Sequence, residues 1–204
     1  MLTKKIQLGN QLVELPYTIS VDTPKYKIGI FGDSFAELAV HAKYAADDGC
    51  TFNHETSWQY FLANLLNSET HSYGISEASL GDIAYTVLNS TLNYDYYIIF
   101  HTDPNRSAKF SSLKYDGKLY EKVNKFLQNK KVLNIYWHPK HKIKSFGDEE
   151  YVCYFHLSNQ NHGEINGFER DPNPLDLTPG ICHMSARGNL LLAIDLHKII
   201  AKQL

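Results

Sequence analysis

The feature that most constrains this chain is an alternation of short aromatic and β-branched runs with stretches of helical spacing. Lys25 to Phe31 (KYKIGIF) reads as a buried strand that stops abruptly at Gly32. Phe35 to Tyr44 then has helical composition. Trp58, Phe61, Leu62, Leu65 and Leu66 form one apolar helical stripe, with Thr56 or Ser57 as its cap. A short strand at His71 to Gly74 and a helix from about Ala78 to Leu92 follow. Asn93 to Phe100 (NYDYYIIF) gives the strongest strand signal. Leu119, Val123, Phe126 and Leu127 mark a helix leading to a strand at Lys131 to Trp137, and Tyr151 to Leu157 reads as a further strand. Ala186 to Ile200 closes the chain as a helix. Such alternation predicts a parallel sheet covered on both faces, and sheets of this kind hold their sites at the carboxyl ends of the strands.

The 204 residues fit one domain, 1–204, with residues 1–24 as an N-terminal extension. A formal net charge of −2 offers no basic footprint for nucleic acid. The Lys140–Lys144 cluster (KHKIK) is short and reads as a solvated loop. No run approaches the roughly 18–20 apolar residues of a membrane span, and Met1 to Leu12 lacks the apolar run of a secretory signal. Cys50, Cys153 and Cys182 are too few for a disulfide framework, and their odd number favours a reducing compartment, hence a cytoplasmic expectation. Asn159 to Pro179 is rich in Asn, Gly, Asp and Pro and reads as a long loop, a length uncommon without a function.

Four segments at the strand ends carry chemistry. Gly32-Asp33-Ser34 directly follows the first central strand. A serine there projects its hydroxyl at the sheet edge, and a following helix N-terminus would supply N–H donors for an acyl-transfer oxyanion. The same tripeptide could equally be a turn with Ser34 as an N-cap. Gly74, after the next strand, allows close backbone approach and an N–H at the site, or serves a turn alone. His101 to Arg106 (HTDPNR) could present an amide donor to the same oxyanion, or be a surface turn built on Asp-Pro-Asn. His183, in the CHMS segment before the last helix, is placed to act as a general base, with Asp171 or Asp176 upstream to orient it. Its bland alternative is a capping segment in which Ser185 caps and His183 is incidental. His138 and His141 could be called a metal pair, but Pro139 spoils helical spacing and no carboxylate or cysteine completes a ligand set; no metal is expected.

The succession of strand-GDS, strand-Gly, strand-polar loop with Asn, and a late His before the final helix resembles the SGNH, or GDSL, hydrolases, from about Lys25 to Leu204. The resemblance implies a three-layer α/β/α sandwich with a flavodoxin-like parallel sheet. It also implies Ser34 as nucleophile, His183 as base, and an oxyanion hole from Ser34, Gly74 and Asn105. Two departures stand out. Alignment on Tyr94-Asp95 places Thr102 where the family has glycine and Pro104 where it has asparagine, so Asn105 is one place late, and Thr102 or a backbone N–H is the substitute. The family's Asp, three residues before the His, is replaced by Gly180; Asp176 lies seven before, with the Pro179-Gly180 turn to bring it back. A Ser–His dyad steadied by a main-chain carbonyl is the alternative.

The resemblance therefore implies a cofactor-free carboxylic-ester hydrolase with an acyl-Ser34 intermediate and catalytic residues Ser34, His183 and Asp176. Its substrate would be a small-molecule or carbohydrate ester, with an O-acetyl group on a sugar as the chosen expectation. Tyr73, Tyr136 and Trp137 are candidates for stacking on sugar rings, with a core role as the other reading. Altered third blocks and Cys-His-Met endings resemble a divergent, phage-type branch. That branch brings two competing readings: a binding or structural module in a phage particle, and an O-acyltransferase using the same residues.

Overall fold

The computed structural model describes residues 4–8, 11–38, 55, 57–75, 77–102, 105–106, 114–136, 149–152 and 186–204. Its elements begin with β1 (Lys4–Leu8), β2 (Gln11–Leu15), β3 (Tyr17–Ile19), β4 (Tyr26–Gly32), α1 (Trp58–Leu66) and β5 (Ser68–Gly74). They continue with α2 (Leu80–Asn89), β6 (Tyr96–His101), α3 (Gly117–Leu127), β7 (Val132–Tyr136), β8 (Glu149–Val152) and α4 (Ala186–Ile200).

The main sheet has the order β3-β5-β4-β6-β7-β8. Strands β4 to β8 are mutually parallel, and β3 joins the β5 edge antiparallel. Counted from β4, the parallel strands run 2-1-3-4-5, the flavodoxin-like order. The chain steps from β4 to one side and returns on the other, so the switch point lies between the carboxyl ends of β4 and β6. Ligand sites of open α/β sheets form in that crevice.

Side-chain alternation along the strands explains the layers. Ile28 and Ile30 of β4, Tyr96, Ile98 and Phe100 of β6, and Leu133 and Ile135 of β7 point to one face. There they meet Trp58, Leu62 and Leu66 of α1 and Leu192, Leu196 and Ile200 of α4. Phe31, Tyr97, Ile99 and Val132 point the other way, against Ile83 and Val87 of α2 and Leu119, Val123 and Leu127 of α3. Each buried aliphatic side chain of this kind contributes about 1.5–3 kcal/mol relative to exposure. The result is the expected three-layer α/β/α sandwich.

Local chemistry sets the helix ends. Ser57, not Thr56, caps α1 by accepting from the Tyr60 N–H at 3.2 Å. Asn67, with φ of 49°, ends that helix in the left-handed conformation. Ser79 and Asp82 make a reciprocal capping box at α2, which starts two residues later than the periodicity predicts. Asp95 delays the Tyr-rich strand to Tyr96, because its carboxylate accepts from the Lys27 N–H at 2.8 Å.

Three expectations change. The N-terminal extension holds strands of its own: β1 and β2 pair antiparallel with Ile6 opposite Val13, and β3 extends the main sheet. Residues 35–38, the described part of the Phe35–Tyr44 stretch, form a turn and not a helix. The Phe35 N–H donates to the Asp33 side chain at 3.1 Å, and the Phe35 carbonyl accepts from Trp58 Nε1 at 2.8 Å. The last strand, β8, covers 149–152 at the sheet edge beside β7; residues 153–157 lie outside the described residues, as does the Asn159–Pro179 loop.

Candidate active site

Ser34 stands in the turn directly beyond β4, half-buried, at the switch point of the sheet. Asp33 shapes that turn. Its fully buried carboxylate accepts the Phe35 N–H through Oδ1, and its Oδ2 lies 3.6 Å from Arg106 Nη1. The Ala36 N–H closes the turn on the Asp33 carbonyl at 2.9 Å. With no helix among residues 33–38, the N–H groups near Ser34 belong to this turn and not to the helix terminus expected from sequence.

Gly74 is the partner of Gly32 in the β4–β5 register, so it lies at the same carboxyl edge. The turn packs directly on it: a Cβ at position 74 would fall 2.0 Å from the Ala36 carbonyl carbon and 2.1 Å from the Glu37 nitrogen. Ser72 adds a tether by donating its hydroxyl to the Ala36 carbonyl. The Gly74 N–H makes only a long contact of 3.4 Å to Ser72 Oγ. Glycine here is thus dictated by backbone approach.

Beyond β6, His101 is buried, stacked on Tyr136 with centroids 4.5 Å apart, and joined through Nε2 to Asn134 Oδ1 at 2.9 Å. Thr102 is also fully buried, and its hydroxyl has no hydrogen-bond partner among the described residues. Asn105 is exposed, and its neighbour Arg106 reaches back to Asp33. The segment after β6 is thereby linked to the Ser34 turn, through a residue that sequence reasoning did not single out. Arg106 was visible only as a cation following Asn105.

His183 and Asp176 lie outside the described residues, as do Asp171, Trp137, His138 and His141. Three residues after His183, α4 begins. Asn189 in its second turn accepts the Trp58 N–H at 3.2 Å. Among the described residues no group of three or more His, Cys, Asp or Glu is placed to hold a metal ion, and no helix is long and apolar enough to cross a membrane.

The sugar-stacking expectation fails for two tyrosines. Tyr73 and Tyr136 are 3% and 0% exposed, so neither offers a face to a ligand. Tyr73 stacks on Phe31 at 4.7 Å and hydrogen-bonds the Tyr94 hydroxyl at 2.8 Å. Burial raises the pKa of both phenols above the ordinary tyrosine value, keeping them neutral.

No protein-family model matches the sequence, and no curated protein matches it. Solved structures do. A possible lipase from Chitinophaga pinensis DSM 2588 superposes with a TM-score of 0.52 at 13% identity, covering 88% of this chain and 99% of that one. A family two carbohydrate esterase from Clostridium thermocellum, in complex with cellohexaose, gives a TM-score of 0.50 at 14% identity, covering 91% of this chain and 66% of that one. A lipolytic protein of the G-D-S-L family from Desulfitobacterium hafniense DCB-2 gives 0.49 at 11% identity, covering 85% and 98%. The first two likenesses show the fold alone: the chain shares the three-layer SGNH-type fold that the order of its motifs implies.

Proposed function

We propose that this chain is a serine esterase that hydrolyses a carboxylic ester through an acyl-Ser34 intermediate. The observation that supports this reading most is the seat of Ser34: a tight turn at the sheet's switch point, packed on Gly74 and anchored by a buried Asp33. In the proposed reaction His183 takes the Ser34 proton as the hydroxyl attacks the acyl carbon, then protonates the leaving alcohol. Asp176 orients His183. The N–H groups of Ser34 and Gly74, with Asn105, hold the oxyanion; losing one such donor costs about 100- to 1,000-fold in rate. Water then attacks the acyl-enzyme, with His183 as base again, and no cofactor enters.

As substrate we propose an O-acetylated carbohydrate. The fold is shared with a carbohydrate esterase whose structure holds cellohexaose, and Ser34 is a partly exposed residue of an otherwise largely buried turn. The test is acetate release from acetylated oligosaccharides beside simple aryl acetates. Turnover of either that Ser34→Ala abolishes supports the esterase, and a preference for the sugar ester supports the substrate class. The substitutions at Gly180 and Pro104 favour the second reading, a non-catalytic binding module; it predicts sugar binding with no acetate release.

A further inference from the structure

Trp58 joins two parts of the chain that have no sequence neighbourhood. Its indole Nε1–H donates to the Phe35 carbonyl at 2.8 Å, and Gln59 Nε2 donates to the same oxygen at 3.3 Å. Its backbone N–H, an orphan donor of the first turn of α1, goes to Asn189 Oδ1 at 3.2 Å. All three residues are at least nine-tenths buried: Trp58 is 1% exposed, Gln59 2% and Asn189 4%. Asn189 sits in α4, three residues beyond its first residue, and the segment bearing His183 leads directly into that helix.

Phe35 is consequently held from both sides. Asp33 Oδ1 accepts its N–H, and α1 accepts responsibility for its C=O through two donors. Fixing both peptide planes around Phe35 fixes the backbone position from which the preceding residue, Ser34, projects its side chain. The same helix terminus fixes the start of α4. Neither link is required for the apolar packing of α1 on α4, which Leu62, Leu66, Leu192 and Leu196 supply.

We infer that Trp58 and Asn189 are positioning residues, a bracket that sets the Ser34 turn against the start of the helix following His183. This rests on the esterase reading and deepens it. Bringing nucleophile and base into register requires their parent segments to share one reference, and the N-terminus of α1 is that reference. Misplacement by about 1 Å in such a pair costs on the order of 100-fold in rate.

The test is the rate of Ser34 labelling by a fluorophosphonate, read by mass spectrometry and expressed per folded molecule from circular dichroism. Trp58→Phe keeps a ring and removes the Nε1–H; Asn189→Leu removes the acceptor at similar volume; Asn189→Asp keeps an acceptor oxygen. Val87→Ala, in the core beneath α2 on the opposite face of the sheet, serves as a variant that loosens packing alone. The bracket predicts labelling slowed about 10- to 100-fold in Trp58→Phe and Asn189→Leu. It predicts recovery in Asn189→Asp and no change in Val87→Ala. Trp58→Phe, the milder change, decides where Asn189→Leu does not fold. Wild-type rates in both deletions, or equal slowing in Val87→Ala, overturn the bracket alone. An unlabelled wild type overturns the esterase reading and the bracket with it.

Discussion

Arg106 Nη1 lies 3.6 Å from Asp33 Oδ2, pairing the residue after Asn105 with the residue before Ser34. The carboxylate is fully buried while the guanidinium side chain is 32% exposed, so the pair links the interior of the Ser34 turn to the surface. Removing the cation takes a nearby opposite charge from a buried carboxylate, which is costlier than removing both partners. Arg106→Met is expected to destabilise the protein by about 1–3 kcal/mol, a range reduced for the partial exposure of the arginine. Asp33→Asn, which keeps an oxygen for the Phe35 N–H, is expected to relieve most of that loss in the double variant. Urea unfolding of the four members of the cycle measures it.

Gly74→Ala tests the packing of the turn. The added methyl would meet Ala36 and Glu37 backbone atoms at 2.0–2.2 Å, and backbone cannot rotate away as a side chain can. The turn must shift. A stability loss of about 1–3 kcal/mol is expected, with a larger proportional loss of Ser34 reactivity. Thermal melts and labelling rates on the same sample separate the two effects. Full reactivity in Gly74→Ala would show that the turn tolerates the displacement.

How much of this was legible beforehand differs by residue. The strand at Lys25–Phe31 and the helix stripe from Trp58 to Leu66 were readable because burial on one or both faces writes a period into the sequence. The pairing of residues 4–8 with 11–15 was not, since Lys4, Lys5 and Gln11 hide a short alternation. Residues 35–38, the described part of the stretch expected to be helical, form a turn tied to a distant residue. Trp58, 23 residues away, donates to the Phe35 carbonyl, and composition near Phe35 carries no trace of that. Arg106 and Asn189 were equally invisible, since their partners lie on other elements. Tyr73 and Tyr136 were read with two roles open, and burial of both faces of β5 and β7 places both in the core.

His71 gives the fold an acid-sensitive point. It is buried on β5, with Nε2 3.2 Å from Glu69 Oε1, and Lys27 Nζ lies 3.5 Å from that same oxygen. Burial lowers its pKa below the ordinary 6.5; Glu69 opposes the shift and Lys27 reinforces it. The unfolded chain therefore binds the proton more readily than the native state. Stability is full above 6.5 and is lost as pH falls through 6.5 toward the lowered native value. Melting temperatures between about pH 7 and 5 should fall less steeply in His71→Gln than in the wild type, and more steeply in Glu69→Gln.

The Tyr73–Tyr94 hydroxyl pair, 2.8 Å apart and buried, predicts a sign as well as a size. Tyr94→Phe strands the Tyr73 hydroxyl and is expected to cost about 1–3 kcal/mol. The double replacement by Phe strands nothing and is expected to cost less than the sum of the singles. Chemical denaturation checks the non-additivity.

The central claim is an activated serine at position 34. Intact-mass and peptide mass spectrometry after incubation with a fluorophosphonate, on the wild type, Ser34→Ala and His183→Ala, addresses it directly. One adduct on Ser34 that disappears in both variants is the predicted result. A folded wild type that takes no label, or takes it on another residue, would contradict the account.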